Sequence, residues 1–177
     1  MTNEEKILIA DCRIMVIGTT DFIDCIKAEL YKSGFKSINV ISSTDGKPDA
    51  GYVDMVTEYV GDGSSCIKGN ITIPIIYPFD FVDGAGAIVI MPDDDNELRN
   101  KDDIRFWAAE YMAGYCAFWN IEGCEWLHSA LSAIREGKTN EAAQKTAVHI
   151  CARIAANIAV GREVKHFPRF YLCRNLD

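Results

Sequence analysis

The stretch Arg13-Ile-Met-Val-Ile-Gly-Thr-Thr-Asp-Phe-Ile-Asp24 decides the fold of this 177-residue chain. Its β-branched apolar run stops at Gly18, and apolar residues then recur at helical spacing as far as Gly34. This pattern predicts a strand, a tight turn and a helix that is capped by Thr20 or Asp21 and ended by the glycine.

A second strand is predicted at Ser37–Ser42, directly after that helix. Strand, helix and strand within about thirty residues form a βαβ unit, and such units join parallel strands by a right-handed crossover. The turn after Gly18 then opens at the carboxyl edge of the sheet, beside the amino end of the helix. Anions are commonly bound at such a place.

Alternating patterns continue along the rest of the chain. Two Gly- and Ser-containing stretches, Ser43–Gly51 and Gly61–Gly69, predict loops around the indeterminate segment Tyr52–Val60. The other predicted elements are a lead-in helix over Asn3–Asp11, strands over Ile71–Tyr77, Gly86–Met91, Cys116–Ile121 and Phe167–Cys173, and helices from Asn100 to Gly114, Trp126 to Glu136 and Asn140 to Val160. Pro74 predicts an edge or bulged strand, whereas Gly86–Met91 has the unbroken apolar pattern of a buried parallel strand. We therefore expect one α/β domain over residues 1–177, with a Rossmann-like, mostly parallel sheet flanked by helices and a C-terminal helix and strand.

Composition limits the function classes. The chain has 18 basic and 26 acidic residues, a net charge of −8, and no basic patch of the kind that binds nucleic acid. Its seven scattered cysteines contain no C-x-x-C pair, so we expect neither a disulfide framework nor zinc. No apolar run is long enough to span a membrane, and the acidic amino terminus does not resemble a signal peptide. We expect a cytoplasmic protein without nucleic-acid or membrane partners.

Three groups of residues are candidates for function. The turn Gly18-Thr19-Thr20 offers backbone amides to an anion or nucleotide, although an ordinary capped turn has the same pattern. Asp93, Asp94 and Asp95 follow a predicted strand and are either magnesium ligands or a solvated acidic turn. An aromatic-rich block from Trp107 to Trp119 is either core or, where exposed, a dimer interface.

Several stretches resemble the ThiF/MoeB family of adenylating domains related to ubiquitin-activating enzymes. The opening Glu5-Lys6 with Arg13–Gly18 is similar to that family's first strand, and Leu30–Ile41 is similar to its helix end and second strand. Asp95-Asn96-Glu-Leu-Arg99 is similar to its Thr-Asp-Asn turn, with the arginine one residue closer. The long helix ending at Gly161 and the closing strand also match in order.

The resemblance implies ATP and magnesium as cofactors, a homodimer, and a ubiquitin-like or sulfur-carrier protein or another peptide as partner. It assigns catalytic roles to Asp95 and Arg99, the metal to Asp95, and nucleotide binding to Gly18, Thr19, Thr20, Ser42 and Asn96. The sequence also departs from the family pattern. Only the first glycine of G-x-G-x-x-G is present, and Ser42 stands where the family has an acidic residue.

These observations support three hypotheses. The first is a divergent ThiF-like protein that binds ATP weakly or atypically and has possible adenylyltransferase activity, with Asp95 on magnesium and Arg99 on phosphate. The second is a catalytically inactive ThiF-like binding or scaffold protein, favoured by the missing glycines and cations. The third is an NAD-binding oxidoreductase, which the absent glycines and the serine at position 42 disfavour.

Overall fold

The computed structural model describes residues 1–42, 52–70, 72–94 and 97–174. Within them the helices are α1 (Asn3–Asp11), α2 (Thr20–Ser33), α3 (Ile104–Phe118), α4 (Glu125–Arg135) and α5 (Glu141–Ala159), with a 3₁₀ helix at Glu97–Asn100. The strands are β1 (Arg13–Gly18), β2 (Ser37–Ser42), β3 (Met55–Glu58), β4 (Ile75–Asp80), β5 (Ala85–Ile90) and β6 (Tyr171–Cys173).

The strands form one mixed sheet in the order β2-β1-β3-β4-β5-β6. Parallel pairing joins β1 to β2, β1 to β3 and β3 to β4, so the predicted βαβ unit and the Rossmann-like α/β class are confirmed. Strand β1 lies between β2 and β3, so the chain passes from β1 to β2 on one side and then crosses to β3 on the other side. Ligand crevices in open α/β sheets form at such a reversal, above the carboxyl ends of the strands.

Strand β5 runs antiparallel to both of its neighbours, so the prediction of a parallel-type strand over Gly86–Met91 was wrong in direction. Only Phe81–Gly84 separates β4 from β5, and a parallel crossover needs a dozen or more residues. The strand is nevertheless buried along its whole length, because helices cover both faces of the sheet. Burial on both faces produces the same apolar run in either direction.

Helices cover the two faces of the sheet in separate pairs. Ile14 and Val16 of β1 pack into a core with α2 and α5, whereas Met15 and Ile17 pack into a core with α3 and α4. The alternation follows from the two-residue period of a strand. Both faces are therefore apolar, which leaves the strand ends as the places for polar chemistry.

Strand β4 lies inside the sheet between β3 and β5, not at an edge as Pro74 had suggested. The strand starts at Ile75, one residue after the proline, so Pro74 needs to donate no hydrogen bond within it. Its carbonyl instead accepts from the Val56 amide of β3 at 3.0 Å. The indeterminate segment 52–60 contains β3.

Three predictions around α3 were wrong. The segment Cys116–Ile121 is not a strand, because its first residues complete α3 and the rest form a turn. Gly114 lies inside this helix and does not end it, and the N-cap is Asp103, which accepts from the Phe106 amide, and not Asn100. Aromatic residues are enriched in strands, but this local preference was overridden because Cys116 continues the buried face of α3.

Other predictions agree with the structure within a few residues. Gly34 ends α2 in the left-handed conformation at φ 106°, and Asn140 caps α5. The closing strand is confirmed but is shorter than predicted. The predicted loop Ser43–Gly51 lies outside the described residues. No helix in the described ranges is long and apolar enough to cross a membrane.

Candidate functional site

The turn after β1 lies at the carboxyl edge of the sheet, where Gly18 pairs with Ser42 of β2. Thr19 is the N-cap of α2, and not Thr20 or Asp21: its Oγ1 accepts from the Phe22 amide at 3.4 Å and its carbonyl accepts from the Ile23 amide at 2.9 Å. A threonine hydroxyl in this role satisfies amides that would otherwise be free for an anion. Thr19 therefore serves the helix, while Thr20 is exposed at the helix start.

Two aromatic rings fill the space beside this turn. Phe22 of α2 stacks on Tyr59, which follows β3, with ring centroids 4.6 Å apart and planes inclined by 13°. Both side chains are buried. A Cβ on Gly18 would lie 2.9 Å from Cδ1 of Phe22 and 3.3 Å from Cβ of Tyr59. The glycine is thus required for close contact with the protein's own rings.

A buried carboxylate, that of Asp80, lies at the end of β4 on the same edge. Its Oδ1 accepts from the Val82 amide at 2.7 Å, and its Oδ2 accepts from the Asn140 amide at 2.7 Å and the Gln144 side chain at 3.4 Å. These bonds link β4 to the turn before β5 and to the amino end of α5. A carboxylate held by several donors is a stable buried charge.

Arg105 is the cation nearest to this carboxylate. Its Nη2 lies 3.9 Å from Oδ1 of Asp80, its Nε donates to the Asp80 carbonyl at 2.5 Å, and its Nη2 also donates to the carbonyl of Lys138. The Nη1 atom is buried and has no hydrogen-bond partner among the described residues. Arg105 therefore joins the start of α3 to the carboxyl edge, and its Nη1 is a donor nitrogen without a partner among the described residues.

The turn between β4 and β5 is strained. Val82 adopts φ 68°, a left-handed conformation that is rare for a β-branched residue. Asp80 holds its amide, and the Asn140 side chain donates to its carbonyl at 2.7 Å. Strained residues persist only where surrounding contacts over-determine them, and they cluster at functional sites.

The hydroxyl of Tyr59 faces this polar group. Burial, followed by the negative charge of Asp80, raises the pKa of Tyr59 to about 12, while Arg105 and a hydrogen bond with Gln144 act in the opposite direction. We call Tyr59, Asp80, Arg105, Asn140 and Gln144 the carboxyl-edge cluster. Its members come from four segments, because Asn140 and Gln144 both belong to the start of α5. Tyr59, which stacks on Phe22, connects the cluster to the turn at Gly18.

A second buried carboxylate, that of Glu58, lies at the same edge of the sheet, on the face covered by α3 and α4. Glu58, the last residue of β3, accepts from the Ser65 hydroxyl at 2.5 Å and the Cys66 amide at 2.7 Å. Ser65 also contacts the Tyr77 hydroxyl at 3.0 Å. The segment after β3 is therefore tied down onto the sheet beside the α3 face.

The cleft beside the start of α2 is acidic. It has a volume of about 520 Å³ and lies between α2 and α5, where it is lined by Asp21, Asp24, Glu141 and Lys145, among others. Lys145 is paired with Glu141 at 2.6 Å. The surplus of carboxylates opposes the binding of a polyphosphate at this cleft.

The residues predicted to form one site lie at two ends of the sheet. Gly18, Thr19, Thr20 and Ser42 are at the carboxyl edge. Arg99 lies near the opposite edge, because β5 is antiparallel and Ile90 at its end pairs with Ile75 at the start of β4. Its Nη1 donates to the Gly69 carbonyl at 2.8 Å, and the side chain is buried. Asp95 and Asn96 lie outside the described residues.

Asp94, next to the predicted magnesium ligand, has structural partners. Its Oδ2 accepts from the Met91 amide at 2.8 Å and lies 2.8 Å from Nδ1 of His166. It therefore fixes the turn after β5 to the segment before β6. Within the described residues no three His, Cys, Asp or Glu side chains are arranged to hold a metal ion.

No protein-family model matches this chain, and a search of curated proteins finds no significant match. The resemblance to the ThiF/MoeB family therefore stays a prediction.

A different surface of the molecule exposes large apolar side chains. Phe118, Trp119 and Ile121, at the end of α3 and in the connection to α4, are 80%, 62% and 43% exposed. We call these three residues the α3–α4 surface. An aromatic stripe along α3 leads to it: the rings of Trp107 and Tyr111 are stacked, and Tyr115 and Trp119 continue the stripe in tilted contacts. Apolar residues grouped in this way mark sites of interaction.

Two cavities flank Ile121, and their charges are opposite. One, of about 300 Å³, contains Lys165 and Arg169. The other, of about 580 Å³, contains Glu125 and His128. The α3–α4 surface therefore has an apolar centre with cations on one side and a carboxylate on the other.

Sequence reasoning did not identify the carboxyl-edge cluster. One signal was available: Asp80 interrupts the aromatic run Tyr77–Phe81, where a charge in a buried strand needs a partner. Arg105 gave a weaker signal as a charge between Ile104 and Phe106. Their pairing depends on the strand order, which periodicity does not contain.

Proposed function

We propose that this protein is a ThiF-like binding protein without adenylating activity, and that it works as a homodimer joined through the α3–α4 surface. The observation that carries the proposal is that Phe118, Trp119 and Ile121 are exposed together within one short connection. Leaving such side chains in water forgoes roughly 1.5–3 kcal/mol of burial for each large one. A partner surface would recover that free energy.

Geometry at the carboxyl edge disfavours catalysis. The rings of Phe22 and Tyr59 fill the space against Gly18 that backbone and phosphate would share in a dinucleotide-type site. The adjoining cleft is acidic, and Arg99 is buried near the other edge of the sheet. Adenylation requires cations around the triphosphate as pyrophosphate leaves.

A second copy of the chain is the partner that the charges favour. The net charge of −8 makes two copies repel each other, so their association needs a surface whose local charges are complementary. In a two-fold dimer, each residue contact is repeated with the copies exchanged. Lys165 and Arg169 on one side of Ile121 could then pair with Glu125 of the second copy.

The dimer is tested by sedimentation equilibrium of the wild type and of the double variant Phe118→Ser/Trp119→Ser. We expect a wild-type dimer and at least a tenfold weaker association in the variant. Tyr52→Ser is the matched control, because Tyr52 is 76% exposed at a distant point of the chain and its loss should leave association unchanged. A monomeric wild type at 100 μM, or equal loss in the control, would refute the interface.

The adenylating hypothesis makes the opposite prediction for nucleotides. Binding of ATP with magnesium would raise the midpoint of thermal unfolding by mass action. We expect no saturable shift with ATP and magnesium, or with NAD, up to millimolar concentrations. A saturable shift together with pyrophosphate exchange would restore the adenylyltransferase proposal, and a shift with NAD alone would favour an oxidoreductase.

A further inference from the structure

Two cysteines meet at the base of the α3–α4 surface. Cys116 lies in the last turns of α3 and is buried, whereas Cys124 is the N-cap residue of α4 and is partly exposed. Both line the two cavities on either side of Ile121. The Ile121 amide donates to the Cys116 carbonyl at 2.8 Å, so the connection folds back over the buried thiol.

The Cys116 and Cys124 side chains are neighbours, because both belong to the wall that the two cavities share. Burial and a side-chain hydrogen bond with Cys124 raise the pKa of Cys116 to about 12. Both cysteines are free thiols in this structure. A disulfide needs the sulfur atoms to approach to about 2.05 Å, so its formation requires the two side chains to close on each other across the wall that the cavities share.

We propose that Cys116 and Cys124 form a reversible redox pair, with Cys124 as the attacking thiol and Cys116 as the resolving thiol. This inference does not rest on the proposed dimer. The two residues have different surroundings, which assigns the roles. Cys124 stands at the N-cap position of α4 without a side-chain cap hydrogen bond, and it shares one cavity with Lys165 and Arg169 and the other with Glu125. Because Cys124 is partly exposed, it is the thiol that a small disulfide can reach first. Cys116 is buried, so it reacts only after Cys124.

The reaction is a pair of thiol–disulfide exchanges with a low-molecular-weight disulfide. The Cys124 thiolate attacks one sulfur, breaks the S–S bond and releases one small thiol. Cys116 then gives up its proton and attacks the Cys124 sulfur, which releases the second small thiol. Two electrons and two protons pass from the protein dithiol to the small disulfide, which becomes two thiols.

The product is a nine-residue ring over 116–124 that contains Phe118, Trp119 and Ile121. Oxidation would therefore covalently modify the segment that bears the α3–α4 surface.

Equilibration of the folded protein with mixtures of reduced and oxidised glutathione tests the proposal. Free thiols are alkylated after each step, and the peptides are identified by mass. We expect the 116 and 124 thiols to disappear together, with one midpoint, and a linked Cys116–Cys124 peptide to appear. Addition of dithiothreitol should restore both thiols.

Single variants separate the two roles. Cys116→Ser should accumulate one glutathione on Cys124, and Cys124→Ser should leave Cys116 reduced over the same range. Cys25→Ser removes an exposed thiol elsewhere and should change nothing. Wild-type protein that carries glutathione on Cys124 while Cys116 stays reduced would overturn the proposal, as would both thiols remaining reduced when Cys25 is modified. The wild-type peptide result is decisive even if a variant does not fold.

Discussion

Aromatic side chains are buried at the carboxyl edge of the sheet but exposed at the α3–α4 surface. At the carboxyl edge, Phe22 and Tyr59 are buried against each other in the place where this type of fold holds ligands. At the α3–α4 surface, Phe118 and Trp119 project into solvent. The difference teaches that the crevice position typical of this type of sheet and the exposed apolar surface are not the same place. Substitutions at the carboxyl edge should therefore lower the free energy of unfolding, whereas substitutions at the α3–α4 surface should leave it nearly unchanged.

The largest effect is expected from Asp80→Ala. Removal of this carboxylate leaves Arg105 as a buried charge without its counter-ion and unties Val82 and Asn140. Breaking a buried ion pair from one side costs about 3–5 kcal/mol. Urea unfolding of the variant should show this loss. Asp83→Asn, at an exposed position three residues away, is the control, and a cost below about 1 kcal/mol for Asp80→Ala would mean that water or another group supports the arginine.

A smaller loss is expected from Gly18→Ala. The added Cβ would lie 2.9 Å from the Phe22 ring and 3.3 Å from Cβ of Tyr59, and the latter is attached to a fixed backbone. Overpacking of this kind costs about 1–3 kcal/mol. Gly114→Ala is the matched control: that glycine lies inside α3 with no atom within 4 Å of the new Cβ, and alanine should stabilise the helix by about 0.5–1 kcal/mol. Equal effects at both positions would contradict a closed crevice.

The titration of Tyr59 gives a pH-dependent test. Its pKa is about 12 in the folded protein against an ordinary value of 10. The stabilising contribution is therefore complete below pH 10 and is lost as the pH rises from 10 to 12, because the unfolded chain releases the proton first. The slope is at most about 1.4 kcal/mol per pH unit.

Replacement Tyr59→Phe keeps the ring and removes this titration. The free energy of unfolding of the variant should fall less steeply than that of the wild type between pH 10 and 11.5. Tyr52→Phe, at an exposed position, should retain the wild-type slope. Identical slopes for wild type and Tyr59→Phe would show that this hydroxyl is not buried in the folded state.

The smallest effect is expected at the open surface. Phe118→Ser/Trp119→Ser should change the free energy of unfolding by no more than about 0.5 kcal/mol, since exposed side chains outside special contacts contribute little. Measurements must be made on dilute protein, because dimerisation would add its own stability. A large loss would mean that these rings support the fold instead of a partner.

Most of the framework could be predicted from local patterns, because each signal acts over one element. Each signal lies in, or directly next to, the element that it predicts. The apolar run before Gly18 forms β1, Gly34 ends α2, and Asn140 caps α5. The predictions were wrong where the structure depends on the direction of a strand or on contacts between elements that are distant in sequence. The direction of β5 depends on the four-residue turn before it. Residues Cys116–Phe118 complete helix α3 against the strand preference of aromatic residues, because Cys116 continues the buried face of that helix.

The candidate site was harder to predict for the same reason. Gly18 and Ser42 lie on neighbouring parallel strands, and their proximity followed from the βαβ unit. The resemblance to the ThiF/MoeB family implied that Arg99 lies beside them, but the antiparallel direction of β5 places it near the other edge. Asp80 and Arg105 are distant in sequence and meet only through the sheet order. Whether Asp95 binds a metal stays a prediction, since it lies outside the described residues.

The tight β4–β5 pairing has a consequence for how the chain folds. Six residue pairs connect these strands, and the innermost, Asp80 with Ala85, is separated by a turn of only four residues. The parallel pairs, in contrast, require the closure of long loops before any contact forms, and local contacts generally form faster than distant ones. We therefore expect the β4–β5 hairpin to belong to the folding nucleus, so that substitutions within it slow folding, whereas substitutions in β2 mainly accelerate unfolding.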